Sequence, residues 1–153
     1  MFRGVLFDKD GTLFDFQRSW SGWAHDLLID LSDGAPDRAR ALAERIAYDI
    51  DKKSFLPESL VIAGTLAEVA EALAPGLSEA ELAALQARLV RHAAAARMVP
   101  AVPLRPLLEG LRGTGLVLGV ATNDAEQVAK KQLQDAEIID ILHFIYGYDS
   151  GYG

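Results

Sequence analysis

Val5-Leu6-Phe7-Asp8-Lys9-Asp10-Gly11-Thr12 joins an apolar run of β character to two carboxylates two positions apart and a glycine turn. Side chains alternate along a strand, so a strand over residues 2–7 lets Asp8 and Asp10 project the same way from its end. Two acids in one small site repel, and one is driven toward its neutral form unless a cation lies between them. The pair therefore implies either a shared proton or a divalent metal, and hard oxygen ligands favour Mg²⁺. Gly11 allows a sharp departure from the strand, and the Thr12 hydroxyl can tie the turn down. A strand followed by an ordinary Asp-Gly turn is the competing reading of the same octet.

Outward from the octet, the chain of 153 residues is half hydrophobic and 24% charged, as expected of one or two small globular domains. It carries no apolar run of membrane-spanning length and no signal-peptide pattern, so a cytoplasmic location with no membrane partner is expected. Zero cysteines exclude disulfides and thiolate metal sites, which leaves oxygen and histidine as the available ligands. A net charge of −7 argues against a nucleic-acid partner, which needs a basic face. The same charge means that an anionic substrate must be attracted locally.

The strand before Asp8 is followed by four helical segments instead of one crossover helix. Trp20, Trp23, Ala24, Leu27, Leu28 and Leu31 recur at helical spacing, which predicts a helix over 17–31. A second is expected from Pro36 to Ile50 and a third from Glu58 to Leu73. A fourth opens at the capping-box pair Ser78 and Glu81 and runs to Arg97. Three prolines in Val99–Pro106 suit a stiff return linker, with Phe14-Asp15-Phe16 as the outgoing one. A helix over 104–112, a strand over 116–121, a helix over 124–134 and a strand over 141–146 then complete an α/β pattern. Strands separated by helices predict a parallel sheet whose ligands gather beyond the strand C-termini, where Asp8, Asp10, Thr122 and Asn123 all fall. The expected domains are 1–15 plus 99–153, a Rossmannoid core, and 16–98, an inserted all-helical cap.

The octet and the later run Leu116-Val117-Leu118-Gly119-Val120-Ala121-Thr122-Asn123 resemble, in order, the first two motifs of the haloacid dehalogenase-like (HAD) superfamily. That family's first motif reads Asp-x-Asp-Gly-Thr after a hydrophobic strand, and its second is a hydrophobic strand ending in Thr or Ser. The helical segment between them resembles the first-type cap of the phosphoglycolate phosphatase-like branch. The resemblance implies a Mg²⁺-dependent phosphatase acting on a small phosphorylated metabolite through an aspartyl-phosphate. Asp8 would be the nucleophile and metal ligand. Asp10 would be the general acid and base, its backbone carbonyl also on the metal. Thr122 and Asn123 would hold phosphoryl oxygens with help from a helix N-terminus. The dehalogenating branch typically lacks an acid at the position of Asp10, so phosphoryl transfer is favoured over carbon-halogen cleavage, and a phosphatase over a phosphomutase only by default. Lys52 and Lys53, in a segment that resembles the substrate-facing loop of such caps, could bind a substrate carboxylate; a solvated lysine pair is the alternative. His25, His92 and His143 have no metal-ligand spacing and are expected to be structural. Lys130 and Lys131 are expected to be surface lysines.

The family's third and fourth motifs, a lysine and an acidic pair, are expected beyond Gly147-Tyr148-Asp149 and are not found before Gly153. A chain so shortened would be weakly active or inactive and would expose a sheet edge prone to self-association. A non-catalytic phosphate- or Mg²⁺-binding fragment is the alternative function.

Overall fold

The apolar run before the acidic pair is a strand, β1 (Gly4–Asp8), in the computed structural model, which describes residues 3–151. The expected start at Phe2 lies outside the described residues, and the strand carries Asp8 as its last member. β4 (Val117–Ala121) pairs in parallel with β1, with Asp8 opposite Ala121, and β5 (Phe144–Tyr146) pairs in parallel with β4. The order among the described residues is β1-β4-β5, so β1 lies at one edge.

Alternation divides this sheet into two unlike faces. Val5, Phe7, Leu118, Val120 and Ile145 point into a core completed by Leu104 and Leu108 of α5 (Leu104–Gly113) and Leu133 of α6 (Glu126–Asp135). On the other face Leu6 is 61% exposed and Val117 43% exposed. The two linkers run side by side: the Asp15 N–H donates to the Val99 carbonyl at 2.9 Å and the Ala101 N–H to the Leu13 carbonyl at 2.9 Å.

Tertiary contacts divide the chain into Met1–Phe16 with Arg97–Gly153, and Gln17–Ala96. The second unit is built from α1 (Phe16–Leu31), α2 (Pro36–Arg45), α3 (Leu66–Leu73) and α4 (Glu79–Ala94). Trp20, Trp23, Ala24, Leu27 and Leu28 form the buried stripe of α1, as their spacing predicts. The two tryptophan rings meet edge to face at 5.1 Å.

Two expectations fail in this unit. The helix from Pro36 stops at Arg45 instead of Ile50, because Ala47 takes φ +49° and the chain enters a hairpin of β2 (Tyr48–Asp49) and β3 (Ser54–Phe55). This unit is therefore not all-helical, as the expected cap would be. Tyr48 and Phe55 stack edge to face at 5.0 Å, and the Tyr48 hydroxyl donates to the Ser21 carbonyl at 2.7 Å. Burial pushes that phenol up to about 12. The helix expected from Glu58 is a short 3₁₀ turn at Leu60–Ile62, followed by α3 from Leu66. Thr65 and Glu68 form a capping box there that repeats the Ser78–Glu81 signature at the start of α4. In the first unit the last strand starts at Phe144 instead of Ile141, since Ile139–Ile141 forms a 3₁₀ turn.

The two sheet faces should answer differently to truncation. Leu118→Ala is expected to cost about 2–5 kcal/mol in urea unfolding and Leu6→Ala much less, because only the first opens a cavity. The capping boxes carry a pH signature. Hydrogen bonds from Thr65 and Ser78 hold the Glu68 and Glu81 carboxyls below their ordinary 4.5, so their stabilisation is complete above that value and fades as pH falls through the lowered range. Thr65→Ala and Ser78→Ala should each cost about 1 kcal/mol at pH 7, with the difference from wild type narrowing below about pH 4.

Candidate active site

Three consecutive residues at the end of β1 take three different environments. The exposed Asp8 carboxylate accepts the Lys9 N–H on Oδ1 at 2.7 Å. The chain then turns, with Leu13 and Phe14 N–H groups donating to the Lys9 carbonyl at 3.0 and 3.1 Å and Gly11 at φ +80°. Asp10 follows, half-buried, at the start of that turn.

Lys9 itself is fully buried. Its Nζ lies 2.8 Å from Asp10 Oδ1 and 2.7 Å from Oδ2, 2.9 Å from Asp124 Oδ2 and 2.7 Å from Gln132 Oε1. An ammonium has three protons and no lone pair; Asp10 and Gln132 accept hydrogen bonds from it, and Asp124 adds an ion pair. A buried lysine without such partners would cost several kcal/mol. Burial pushes the Asp124 carboxyl above its usual range, Lys9 pulls it back, and Asp10 and then Asp8 push it up again.

Parallel register brings the second motif alongside. Asp8 is opposite Ala121, so Thr122 and Asn123 leave the sheet one strand away from the nucleophile candidate. Thr122 donates its N–H to the Tyr146 carbonyl at 3.0 Å, and its Oγ1 accepts the Asp124 N–H at 3.2 Å. The helix predicted from Asp124 begins at Glu126, behind Ala125, which cannot cap it. Asp149 does so from the loop after β5, accepting the Glu126 N–H at 2.8 Å. An anion at this helix start would therefore meet a carboxylate already in place, which weakens the expected dipole assistance. The loop lies so close that a Cβ at Gly147 would stand 2.3 Å from the Glu126 nitrogen and 2.4 Å from the Asp124 oxygen.

Lys52 and Lys53 belong to the other unit, in the turn of the β2–β3 hairpin. Lys52 pairs with Asp49 at 3.1 Å, and Lys53 adopts φ +52°. Lys130 and Lys131 pair one helical turn away with Glu126 and Asp135. His92 contacts Asp30 at 3.0 Å, and His143 accepts the Leu118 N–H at 3.1 Å.

The donor set fits a hard cation that keeps most of its own water. Asp8 offers an exposed carboxylate, and the Asp10 backbone carbonyl is the second ligand that the family resemblance implies. Among the described residues no group of three or more His, Asp or Glu could cage a metal. Mg²⁺ is typically held by one or two carboxylates, water and substrate phosphate, and suits such a set.

Lys9, Asp124 and Gln132 escaped the sequence reading. The signal for Lys9 was present: it alternates with Asp8 and Asp10, so if they face outward it faces the core, where a lysine needs counter-charge. Gln132 sits on the apolar side of a helix and gives no comparable signal.

The haloacid dehalogenase-like hydrolase family pattern matches residues 2–152. No curated protein matches the chain. Among solved structures it resembles a predicted phosphoglycolate phosphatase of Haemophilus somnus 129PT, at 16% identity and TM-score 0.67 over 99% of this chain and 65% of the other. It also resembles YfnB of Bacillus subtilis, a HAD-hydrolase candidate bound to magnesium, at 21% identity and TM-score 0.58 over 95% and 65%. The L-2-haloacid dehalogenase of Xanthobacter autotrophicus aligns at 22% identity and TM-score 0.53 over 97% and 58%. The chain thus spans less than two thirds of the length of these three structures. At these identities the likeness is one of fold.

Removing the ammonium strands two partly buried carboxylates. Lys9→Met is expected to lower unfolding free energy by about 3–5 kcal/mol, whereas Lys131→Met, at an exposed pair, should change it by less than about 1 kcal/mol. Equal and small losses in chemical denaturation would show that the buried cluster is not held as described.

Proposed function

Because the chain belongs to the haloacid dehalogenase-like hydrolase family, we propose that it hydrolyses a small phosphate monoester through a covalent phospho-Asp8 intermediate. The observation that carries this reading is a second carboxylate, Asp10, two residues after an exposed Asp8 at a parallel strand end. Carbon-halogen cleavage releases halide and needs no proton donor, whereas an alkoxide leaving group does.

Asp8 Oδ2 has no hydrogen-bond partner among the described residues and is the attacking oxygen. It forms a bond to phosphorus as the bond from phosphorus to the ester oxygen breaks, and Asp10 gives that oxygen a proton. Water then attacks the same phosphorus, Asp10 takes the water's proton, and inorganic phosphate leaves with the Asp8 carboxylate regenerated. The Thr122 hydroxyl orients a phosphoryl oxygen, and Asn123 stands beside it at the mouth of the β4 loop. Mg²⁺, when held by Asp8 and the Asp10 carbonyl, supplies the positive charge that offsets repulsion between nucleophile and substrate.

The test is phosphate release from a panel of monoesters with Mg²⁺, together with trapping of a hydroxylamine-sensitive acyl phosphate on the protein. Asp8→Asn should abolish both, and Asp10→Asn should slow turnover by about 10²–10⁴-fold. Turnover that survives Asp8→Asn would overturn the reading, and Mg²⁺ and phosphate binding without turnover would assign a binding module instead.

A further inference from the structure

A carboxylate on a turn that starts with a glycine has several rotamers open to it, yet proton transfer needs one. In this site the Lys9 ammonium straddles both oxygens of Asp10 at 2.7 and 2.8 Å and so fixes the plane of that carboxylate. The ammonium is itself immobile, fully buried and held by Asp124 at 2.9 Å and by Gln132 of α6 at 2.7 Å. Asp10 stays within reach of a substrate, since its side chain keeps 16% exposure. Resting on the phosphatase reading, the geometry points to Lys9 as the positioning residue of the reaction. It ties the proton-donating acid of the first motif to the loop and helix that follow the second, so that Asp10 and Thr122 keep one relative placement. Asp124 and Gln132 act through Lys9 and do not touch substrate.

The consequence concerns leaving groups. A p-nitrophenolate departs with little protonation, whereas an alkoxide depends on a well-placed acid, so misplacing Asp10 penalises the second far more. Lys9→Met alone strands charge and endangers folding; Lys9→Met with Asp124→Asn removes ammonium and counter-charge together, and Gln132→Leu loosens the tether with the charges intact. In the full chain each variant should lower kcat for glycerol phosphate more than for p-nitrophenyl phosphate. The ratio should fall tenfold or more in the double variant and severalfold in Gln132→Leu. A general loss of fold would lower both substrates alike, and an unchanged ratio overturns the proposal.

A second readout does not need turnover. A buried, hydrogen-bonded ammonium exchanges its protons slowly enough for its nitrogen-proton resonance to be followed. The Lys9 resonance should shift or broaden in Asp10→Asn and in Gln132→Leu, and a resonance indifferent to Asp10→Asn overturns the tether. If wild type releases no phosphate while the resonance responds as expected, the phosphatase reading falls and the attachment of Asp10 to Lys9 stands.

Discussion

One buried positive charge organises the first unit. Lys9 brings an ammonium to full burial, and taking such a group out of water costs several kcal/mol unless its donors are met in good geometry. The oxygens that meet it come from the turn after β1, the loop after β4 and the body of α6. Each element could pack apolar residues in more than one rotation. The requirement that the oxygens of three side chains converge on one nitrogen excludes most of them, so a cluster of little net stability can still specify the arrangement.

The rest of the site is arranged around that point by backbone constraints. Parallel register sets Asp8 opposite Ala121, which places the Thr122 loop beside the first motif whatever its side chains do. Gly147 lets the loop after β5 lie against the backbone of Asp124 and Glu126, where any Cβ would collide. The same approach delivers Asp149 to the first amide of α6, a position that Ala125 leaves without a side-chain acceptor. The helix start is thereby stabilised by a residue more than 20 positions away, at the expense of its use as a general anion site.

Much of this was legible because period and punctuation agreed. The β1 and β4 runs, the α1 stripe and the Ser78–Glu81 box each state one structure in more than one way. The failures occurred where a local signal was overridden or left unread. Ile46 and Ile50 fit a continued helix face, but the pairing of Tyr48 with Phe55 and the burial of both rings outweigh that periodicity. Thr65 and Glu68 spell the same capping box as Ser78 and Glu81 and place the start of α3 as clearly. The two acids at the candidate site were visible as a spacing, whereas their attachment was not: Asp124 and Gln132 reach Lys9 only through the fold, across sequence separations that no local pattern reports.

The cluster also fixes what the site must borrow. Asp8, Asp10 and Asp124 outnumber the single ammonium among them, and Asp149 adds a further carboxylate on the helix behind Thr122. Lys9 does not meet an incoming phosphoryl group, since it has no exposed surface and its ammonium is held by Asp10, Asp124 and Gln132. On the proposed reading, a phosphate ester approaching Asp8 meets carboxylates of its own sign, in a chain whose net charge is already −7. On the same proposed reading this field calls for positive charge beside the substrate, and the exposed carboxylate of Asp8 is a place that can receive it.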